Sequence, residues 1–417
     1  MNDMMYARGN RRDYDALAAK GNAGWDYGSS VLPYFKKAEN MTNPALATSK
    51  YHGTGGPLTV SINDHKDDSV ATAVKNTSQD SLDLPDKVDC NGENQVGSSF
   101  IPMNVKDGQR DSTHRAYLEP VLSRKNLYVR THSQVIRILV YRDTRRANGV
   151  KFVHKNVKTA VFASKEVIVC AGAFRSPHLL MLSGLGPRDH LRAVGIDVIE
   201  DIPVGNNLRD HVVMNPTFPL YIDVSEAKES GSPARIPRTP SGPFNNLIFM
   251  TAFKSFRSGD PSWPDAQYIV SKVLDLDGCW RTNNSSPLNT VIILPLLLYP
   301  KSVGKVRLSN KNPFSDPFVD PQYLTEQRDI DILKDAIKFL LRLGNSKALK
   351  DAGLRFGGLP PSPCCLFRKR CVEDDAYWEC VVRTYALSAY HPVSSLNGPG
   401  ISVLLNSNLF FFYLPFI

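Results

Sequence analysis

The chain has 417 residues, of which 42% are hydrophobic and 22% are charged, a globular composition that excludes a disordered, collagen-like or coiled-coil chain. At roughly 150 residues per domain, this length predicts two to three domains with a sizeable buried core. The formal net charge is +9 at pH 7, but the basic residues are scattered among acidic ones, which favours a solvated surface and excludes nucleic acid as an expected partner.

Short helices alternate with glycine-rich turns in the first hundred residues. Glycine and proline interrupt regular structure. The glycine-dense segment Tyr51–Pro57, which precedes a short apolar run, is therefore predicted to be a loop. Residues 81–110 are polar and contain glycine, which predicts an irregular chain. Capping and periodicity predict helices at Arg11–Lys20, Val31–Glu39 and Ser69–Gln79 and a strand at Leu58–Ser61.

The pattern that follows residue 111 predicts a compact β-rich lobe. Ser112 is a suitable N-cap for a helix that ends near Leu122. Runs of β-branched and aromatic residues come next and are separated by polar residues, which is the pattern of strands. The predicted strands are Leu127–Thr131, Gln134–Tyr141, Gly149–His154 and Thr159–Ala163.

Glu166–Pro187 has the pattern of a strand, a turn of small residues and a helix. Val167–Val169 is a continuous apolar run, which predicts a strand buried on both faces. After the turn at Ala171–Ala173, a helix is predicted to begin at Ser176 and to end at Gly184. Main-chain N–H groups at such a helix start can bind a nucleotide cofactor, although packing alone also explains small residues in this turn.

The second half of the chain contains one long loop and several regular elements. Residues 228–243 are rich in proline, glycine and serine, which indicates either a surface linker or a lid over a site. Strands are predicted at Asn289–Leu298 and Gly304–Leu308, and an amphipathic helix at Asp329–Leu343. No run of about 18 uninterrupted apolar residues occurs, so no membrane span is predicted.

The seven cysteines include no Cys-x-x-Cys pair, which argues against a structural zinc site or a thioredoxin-like redox motif. No metal site is predicted. Four of the cysteines, Cys364, Cys365, Cys371 and Cys380, lie close together. This cluster allows one or two disulfides if the protein is exported.

His391 is the candidate general base. It lies in the segment Ala389–Pro392, where the following proline restricts the chain and holds the ring near the start of a loop. A neutral imidazole can accept a proton near neutral pH, although a histidine beside proline can equally be structural. His178 and His211 adjoin apolar or charged residues and are predicted to be structural. The motifs of serine hydrolases, zinc proteases and P-loop proteins are absent from the sequence.

Several segments, in order along the chain, resemble the glucose-methanol-choline (GMC) family of flavin oxidoreductases, most closely its glucose-dehydrogenase-like and choline-dehydrogenase-like branches. The most specific is Gly172–Pro187, which follows the family's second signature of a small turn, Ser-Pro, an apolar helix and Ser-Gly-x-Gly. The resemblance extends from Asn2 to about Val393. The other matching segments are Asn2–Asp15, Gly24–Trp25, Tyr51–Val60, Ser112–Leu118, Val204–His211, Pro264–Gln267, Asp374–Cys380 and Tyr390–Val393.

The resemblance implies an α/β and α+β fold with two domains. One is an FAD-binding domain of the glutathione-reductase type, and the other is a substrate domain in which an antiparallel sheet is backed by helices. The implied segments are 1–50 and 101–210 for the FAD domain, 51–100 for a substrate-domain segment and loop, 211–385 for the substrate domain, and 386–417 for the start of the C-terminal catalytic segment followed by an aberrant tail.

The resemblance also implies an oxidoreductase that acts on CH–OH groups. His391 matches the histidine that takes the hydroxyl proton while hydride passes to flavin N5, and Tyr390 matches a residue that often lines the substrate pocket. The implied cofactor is FAD. The implied partners are an alcohol, sugar or choline-like substrate and a quinone or other electron acceptor, with a dehydrogenase favoured over an oxidase. The implied cofactor-binding residues are Asn2, Asp3, Met5, Val135, Gly172 and Ala173.

The chain departs from the family pattern at both ends. The family begins with a strand, a Gly-x-Gly-x-x-Gly turn and an acidic residue, which do not precede Asn2 here, and it usually has glycine where this chain has Asp3. After Val393 the family's Gly-Thr and its second histidine or asparagine are replaced by a different tail. We therefore expect a fragment from an incomplete gene model, in which the first Rossmann strand is missing and apolar edges are exposed.

Two other functions stay open at this point. A chain without the nucleotide turn could be a non-catalytic binding module, and a flavin protein of this family could be a lyase. The compartment is open as well, with export expected because of the resemblance to secreted relatives and the late cysteine cluster.

Overall fold

The computed structural model describes residues 4–62, 69–82, 84–85, 89–214, 221–223, 248–257, 259–273, 290–351, 355–356, 364, 374–393 and 409–411. Within these ranges the α-helices are α1 (Arg11–Ala19), α2 (Leu32–Ala38), α3 (Pro44–Ala47), α4 (Ser69–Leu82), α5 (Gly172–Leu182), α6 (Arg188–Ala193), α7 (Gln327–Gly344), α8 (Lys347–Asp351) and α9 (Asp375–Tyr385). None of these helices is long and apolar enough to cross a bilayer.

The strands of the described residues form one large sheet and several small ones. They are β1 (Glu39–Met41), β2 (Leu58–Val60), β3 (Gly97–Phe100), β4 (Val105–Lys106), β5 (Gln109–Arg110), β6 (Ser133–Val140), β7 (Ala147–His154), β8 (Val157–Phe162), β9 (Val167–Val169), β10 (Val212–Met214), β11 (Tyr221–Asp223), β12 (Ile248–Lys254), β13 (Ala266–Val273), β14 (Thr290–Leu297), β15 (Lys305–Arg307), β16 (Phe318–Asp320), β17 (Arg355–Phe356), β18 (Ala386–Ser388) and β19 (Leu409–Phe411).

The large sheet is antiparallel and has the order β17–β11–β14–β13–β12–β3 among the described strands. Its central strands β13 and β14 pair over eight residues each, from Ala266 opposite Leu297 to Val273 opposite Thr290, and they are rich in the β-branched and apolar residues that fit a pleated surface. β10 pairs with the Leu297 end of β14 and in turn binds β18 on its other side. The C-terminal segment is thereby attached to this sheet.

Helices cover one face of the large sheet. The apolar residues of α7 recur at helical spacing, and Ile330, Leu333, Ile337 and Leu340 are all buried in one cluster with the sheet. Trp378 of α9 belongs to the same cluster. The observed arrangement of an antiparallel sheet backed by helices confirms the fold class implied for the substrate domain.

The opposite face of the same sheet carries a smaller apolar cluster. Val213, Ile269 and Leu296 are buried there, and Met5 and Ala389 pack against them. Successive strand residues point to opposite faces, which is why Val213 lies in this cluster while its neighbours on β10 lie in the helix-covered one. The N-terminal segment and the segment that precedes His391 therefore meet on the uncovered face.

A second core lies around α5 and the antiparallel meander β6–β7–β8. Its buried residues include Leu180 and Leu191 from the helices and Val204, Leu208 and Val306 from the chain that follows them. β9 pairs in parallel with β19. Several apolar side chains of β8 and β9 are exposed: Val157, Val161, Phe162 and Ile168.

Several predicted elements differ from the observed ones. Leu127–Thr131 forms no strand, because strand propensity without a partner strand is insufficient. Residues 81–110 contain β3, β4 and β5 in place of a wholly irregular chain. The helix predicted after Ser112 is a π turn at His114–Leu118 followed by a 3₁₀ turn at Glu119–Val121, since Pro120 has no N–H with which to continue an α-helix.

The strand, turn and helix around Gly172 are present with two corrections. β9 was predicted to be buried on both faces, but Ile168 is exposed while Val167 and Val169 are buried. α5 begins at Gly172, four residues before the predicted start, so Pro177 lies inside the helix. The predicted loop 228–243 lies outside the described residues.

The late cysteine cluster contains a disulfide between Cys364 and Cys380, which links Cys364 covalently to α9. In the part of the chain that the structure describes, the free cysteines are Cys90, which is buried, and Cys170, which is exposed.

A buried ionic cluster fixes the N-terminal segment against the loops around it. The Arg8 guanidinium contacts the Glu39 carboxylate, and both side chains are fully buried. His52 Nδ1 lies 3.0 Å from Glu39 Oε1, and His52 Nε2 lies 3.0 Å from Asp89 Oδ2. Because each ring nitrogen faces a carboxylate, both must donate, and the imidazole is held as a cation. Burial alone would lower the pKa of His52, but its hydrogen bonds to Asp89 and Glu39 raise that pKa to about 9.

This cluster predicts a pH-dependent stability. The pKa of His52 is about 9 in the folded chain, against an ordinary value of 6.5. Its stabilisation is therefore fully present below pH 6.5 and is lost as the pH rises through 9. We expect the unfolding temperature to fall over this interval, and to fall less in His52→Gln. His114→Gln, at an exposed site, should keep the wild-type slope. An equal slope in all three proteins, measured by thermal scans, would contradict this assignment.

Candidate active site

His391 lies in a bulge between two segments of the large sheet. Val212 pairs with Ser388 at one end of the bulge, and Arg209 pairs with Val393 at the other end. Between these pairs the four residues of Ala389–Pro392 lie opposite only two residues of the other segment, so the chain must loop out of the ladder. Tyr390 adopts the left-handed conformation with a φ of 63°. The sheet thus fixes both ends of a loop that presents Tyr390 and His391.

The carboxylate of Asp210 holds this bulge from inside. Its Oδ1 accepts the main-chain N–H of His391 at 2.9 Å. Its Oδ2 accepts the hydroxyl groups of Ser388 and Tyr323, each at 2.6 Å. The Ser388 hydroxyl oxygen also accepts the main-chain N–H of Tyr390 at 2.9 Å. The two main-chain donors that the bulge removes from the ladder are therefore satisfied by side chains, as buried polar groups require.

His211 lies directly against the candidate base. The two Nδ1 atoms of His211 and His391 are 3.2 Å apart, and the ring planes cross at 87°. Burial, and then the neighbouring His391, lower the pKa of His211 to about 3. His211 is therefore neutral at any physiological pH. The pair therefore contains at least one neutral imidazole, that of His211.

Met5 and Ala389 pack in the same apolar cluster on the uncovered face of the sheet, so the structure brings one predicted cofactor residue close to the predicted base. Tyr390 is 84% exposed, and its predicted place in a substrate pocket stays a prediction. Asn2 and Asp3 lie outside the described residues.

The other predicted cofactor residues belong to the second core. Val135 is 37% exposed on β6. Gly172 begins α5 with a φ of 79°, and no atom lies within 4 Å of the place where a Cβ would be. Ala171, the N-cap residue of α5, is exposed and forms no side-chain capping hydrogen bond. Its own main-chain N–H donates to the Ser176 hydroxyl oxygen at 3.1 Å. The carboxyl end of β9 and the start of α5 therefore leave room for a group to approach the main chain. Ala173 follows Gly172 in the first turn of α5.

Sequence reasoning missed two residues of this site. His211 was predicted to be structural and Asp210 was not singled out, yet both contact His391. A local signal was present, since a charged residue and a histidine directly precede the apolar run of β10. That local signal could not identify His391, which is 180 residues away in the sequence, as the residue that His211 contacts. His178 is buried on α5, as its structural interpretation requires.

Comparison with known proteins gives a consistent result. Two family models described as GMC oxidoreductase match residues 1–213 and 300–399. The chain is 32% identical to glucose dehydrogenase [FAD, quinone] of Drosophila pseudoobscura pseudoobscura over 92% of its own length and 61% of that protein. It is 32% identical to human mitochondrial choline dehydrogenase over 94% of its own length and 64% of that protein.

Among solved structures, pyridoxine 4-oxidase from Mesorbium loti is similar to this chain with a TM-score of 0.80 and 25% identity. The similarity covers 98% of this chain and 76% of the other. The chain thus spans less than two thirds of the length of the dehydrogenases named above while matching nearly all of itself to them.

The hydrogen bonds of Asp210 predict a graded loss of stability. Asp210→Ala leaves three donors without their acceptor, and we expect it to lower the free energy of unfolding by about 2–4 kcal/mol. Tyr323→Phe removes one donor and should cost about 1 kcal/mol. Urea unfolding of the two variants and the wild type measures the difference. If Asp210→Ala costs no more than Tyr323→Phe, the carboxylate does not organise the bulge.

Proposed function

The chain belongs to the GMC oxidoreductase family, and on that premise we propose that it is an FAD-dependent dehydrogenase that oxidises a CH–OH group of a small alcohol, sugar or choline-like substrate. The observation that carries this proposal is His391, a histidine held by its main chain and placed 3.2 Å from a neutral imidazole. This is the residue type and the constraint that removal of a hydroxyl proton requires.

The described residues fit a nucleotide cofactor at the turn between β9 and α5. A glycine with open space at its Cβ position lets the cofactor approach the main chain closely, and the helix N-terminus at the start of α5 favours a phosphate group there. We propose that Gly172 and Ala173 line the nucleotide, with Val135 nearby and with Met5, Asn2 and Asp3 along the flavin. FAD, when bound, supplies the hydride acceptor and transfers the electrons to a quinone or other acceptor.

The protein's own residues supply the remaining steps. His391 accepts the proton of the substrate hydroxyl as the carbonyl product forms. Asp210 fixes the main chain of His391 and so limits the positions that the ring can take. The apolar cluster of Met5, Val213, Ile269 and Leu296 excludes water on that side. Tyr390, adjacent to the base in a strained backbone conformation, is the proposed substrate contact.

In this proposal the segments of the two domains alternate along the chain. Residues 1–50 and 101–210 belong to the FAD domain, and residues 51–100 and 211–385 belong to the substrate domain. Two separate cores support it, one around α5 and one around α7. The names of two relatives, glucose dehydrogenase and choline dehydrogenase, support a dehydrogenase with a sugar or choline-like substrate, and this is the substrate class that we propose.

The proposed base predicts a large loss of turnover without a loss of flavin. We expect His391→Gln to lower turnover by roughly 100-fold or more while the flavin absorbance of the purified protein is unchanged. The assay is dye-coupled oxidation of D-glucose and choline by the full chain. His114→Gln, at an exposed site, is the control. Normal turnover in His391→Gln would exclude the role of base, and a folded but colourless wild type would favour a binding module instead.

The proposed nucleotide contact has a matched control. Gly172 and Gly195 both have positive φ values, 79° and 72°, and open space at the Cβ position, so leucine strains the backbone similarly at each. Gly172→Leu should weaken FAD binding at least about 10-fold, whereas Gly195→Leu should not. Titration of flavin fluorescence measures both. Equal FAD affinities in the two variants would show that the nucleotide does not contact this turn.

A further inference from the structure

The N-terminal segment Met4–Arg8 reaches the candidate active site through Met5. Met5 packs in the apolar cluster on the uncovered face of the large sheet together with Ala389, two residues before His391. The group that fixes the main chain of this segment therefore also fixes where Met5 lies in that cluster. We propose that Asn91 is a positioning residue that does so, because its carboxamide takes the place of a partner strand. Only the effect on turnover rests on the proposed function.

An antiparallel pairing holds the first half of the segment and stops at a proline. Met5 pairs with Met103, and the N–H of Tyr6 donates to the carbonyl oxygen of Pro102 at 2.8 Å. In an antiparallel ladder the residue opposite Tyr6 would return a bond from its own N–H, but proline has none. Beyond Pro102 the facing chain joins the large sheet instead, where the N–H of Ile101 donates to β12 at 3.2 Å.

Asn91 supplies the missing partners from a neighbouring loop. Its Nδ2 donates to the carbonyl oxygen of Tyr6 at 3.0 Å, and its Oδ1 accepts the main-chain N–H of Arg8 at 2.8 Å. Asn91 is only 2% exposed, so both main-chain groups would lose a buried partner without it. A carboxamide carries a donor and an acceptor side by side. Aspartate of the same shape lacks the donor, and leucine lacks both.

The buried ionic cluster fixes the carboxamide in turn. The main-chain N–H of Asn91 donates to Asp89 Oδ1 at 2.8 Å, and Asp89 Oδ2 lies 3.0 Å from His52 Nε2. His52 Nδ1 lies 3.0 Å from Glu39 Oε1, and Glu39 contacts the guanidinium of Arg8. The hydrogen bonds thus form a closed circuit from the side chain of Arg8 to its own main-chain N–H. The segment cannot shift without breaking one of these buried bonds.

Removal of the carboxamide should therefore act on Met5 before it acts on the apolar cores. In Asn91→Leu, the carbonyl of Tyr6 and the N–H of Arg8 are left unpaired in a buried place, and the segment must move to find new partners. Met181 is fully buried in the separate core around α5. Its side chain reports whether the rest of the fold is intact.

The methyl group of Met5 reports the position of the segment. The full chain is labelled with ¹³C in its methionine methyl groups, and Met5→Leu assigns the signal. We expect one sharp Met5 signal in the wild type, and in Asn91→Leu a signal displaced toward that of a flexible methionine while Met181 is unchanged. Asn94→Leu is the matched control. Asn94 is exposed in the same loop, and its Oδ1 accepts the N–H of Val96 at 3.1 Å, so the Met5 signal should stay at its wild-type position.

An Asn91→Leu spectrum equal to that of the wild type would overturn the inference. Equal displacement of the Met5 and Met181 signals in a folded variant would do so as well, because the effect would then not be specific to the segment. If Asn91→Leu does not fold, amide hydrogen exchange of the wild type decides. The amide of Arg8 should then be protected like those of the cores, and rapid exchange of that amide would exclude the bond to Asn91.

Turnover supplies a second readout, since a displacement of about 1 Å at an active site can cost roughly 100-fold in rate. We expect kcat to fall roughly 10-fold or more in Asn91→Leu and to keep its wild-type value in Asn94→Leu. An inactive wild type in which Asn91→Leu still displaces the Met5 signal would count against the proposed function and not against this inference.

Discussion

A single buried carboxylate organises the site of this protein. A sheet cannot present His391 without interrupting its own ladder, and each interruption leaves main-chain donors that must find new acceptors. Asp210 resolves this constraint because its two oxygens serve an N–H and two hydroxyls at once. The hydroxyls come from separate parts of the chain, so the carboxylate also joins β18 to the segment that precedes α7. The geometry of the bulge that carries His391 depends on this one group.

Asp210 lies in the segment of the chain that connects the two apolar cores. Val204 and Leu208 are buried in the core around α5, whereas Val212 and Met214 are buried in the core between the large sheet and α7. The segment between them crosses from one core to the other. A polar pair placed at the crossing is held on both sides by apolar burial, which fixes it more firmly than a surface loop could. His391 is therefore positioned by elements that neither core contains alone.

Prediction from the sequence succeeded where local chemistry decides the structure. Hydrophobic periodicity and the positions of glycine and proline predict three parts of the fold: the amphipathic helix near Asp329, the meander from β6 to β8, and the strand, turn and helix around Gly172. Each is present, with bounds that differ by a few residues. The prediction was wrong for Leu127–Thr131, where a strand-forming sequence has no partner. It was also wrong for the exposed face of β9 and for the start of α5, because burial and the main-chain path depend on neighbours that the sequence does not identify.

The sequence by itself determined the family, the type of cofactor and the candidate base, because motifs of fixed spacing encode those local features. It did not determine what surrounds His391. His211 and Asp210 lie about 180 residues from His391, and nothing in a linear pattern brings them together. Only the antiparallel pairing of β10 with β18 does so. The tertiary structure decided which histidine stays neutral and which ring nitrogens face each other, since both depend on burial and distance across the fold.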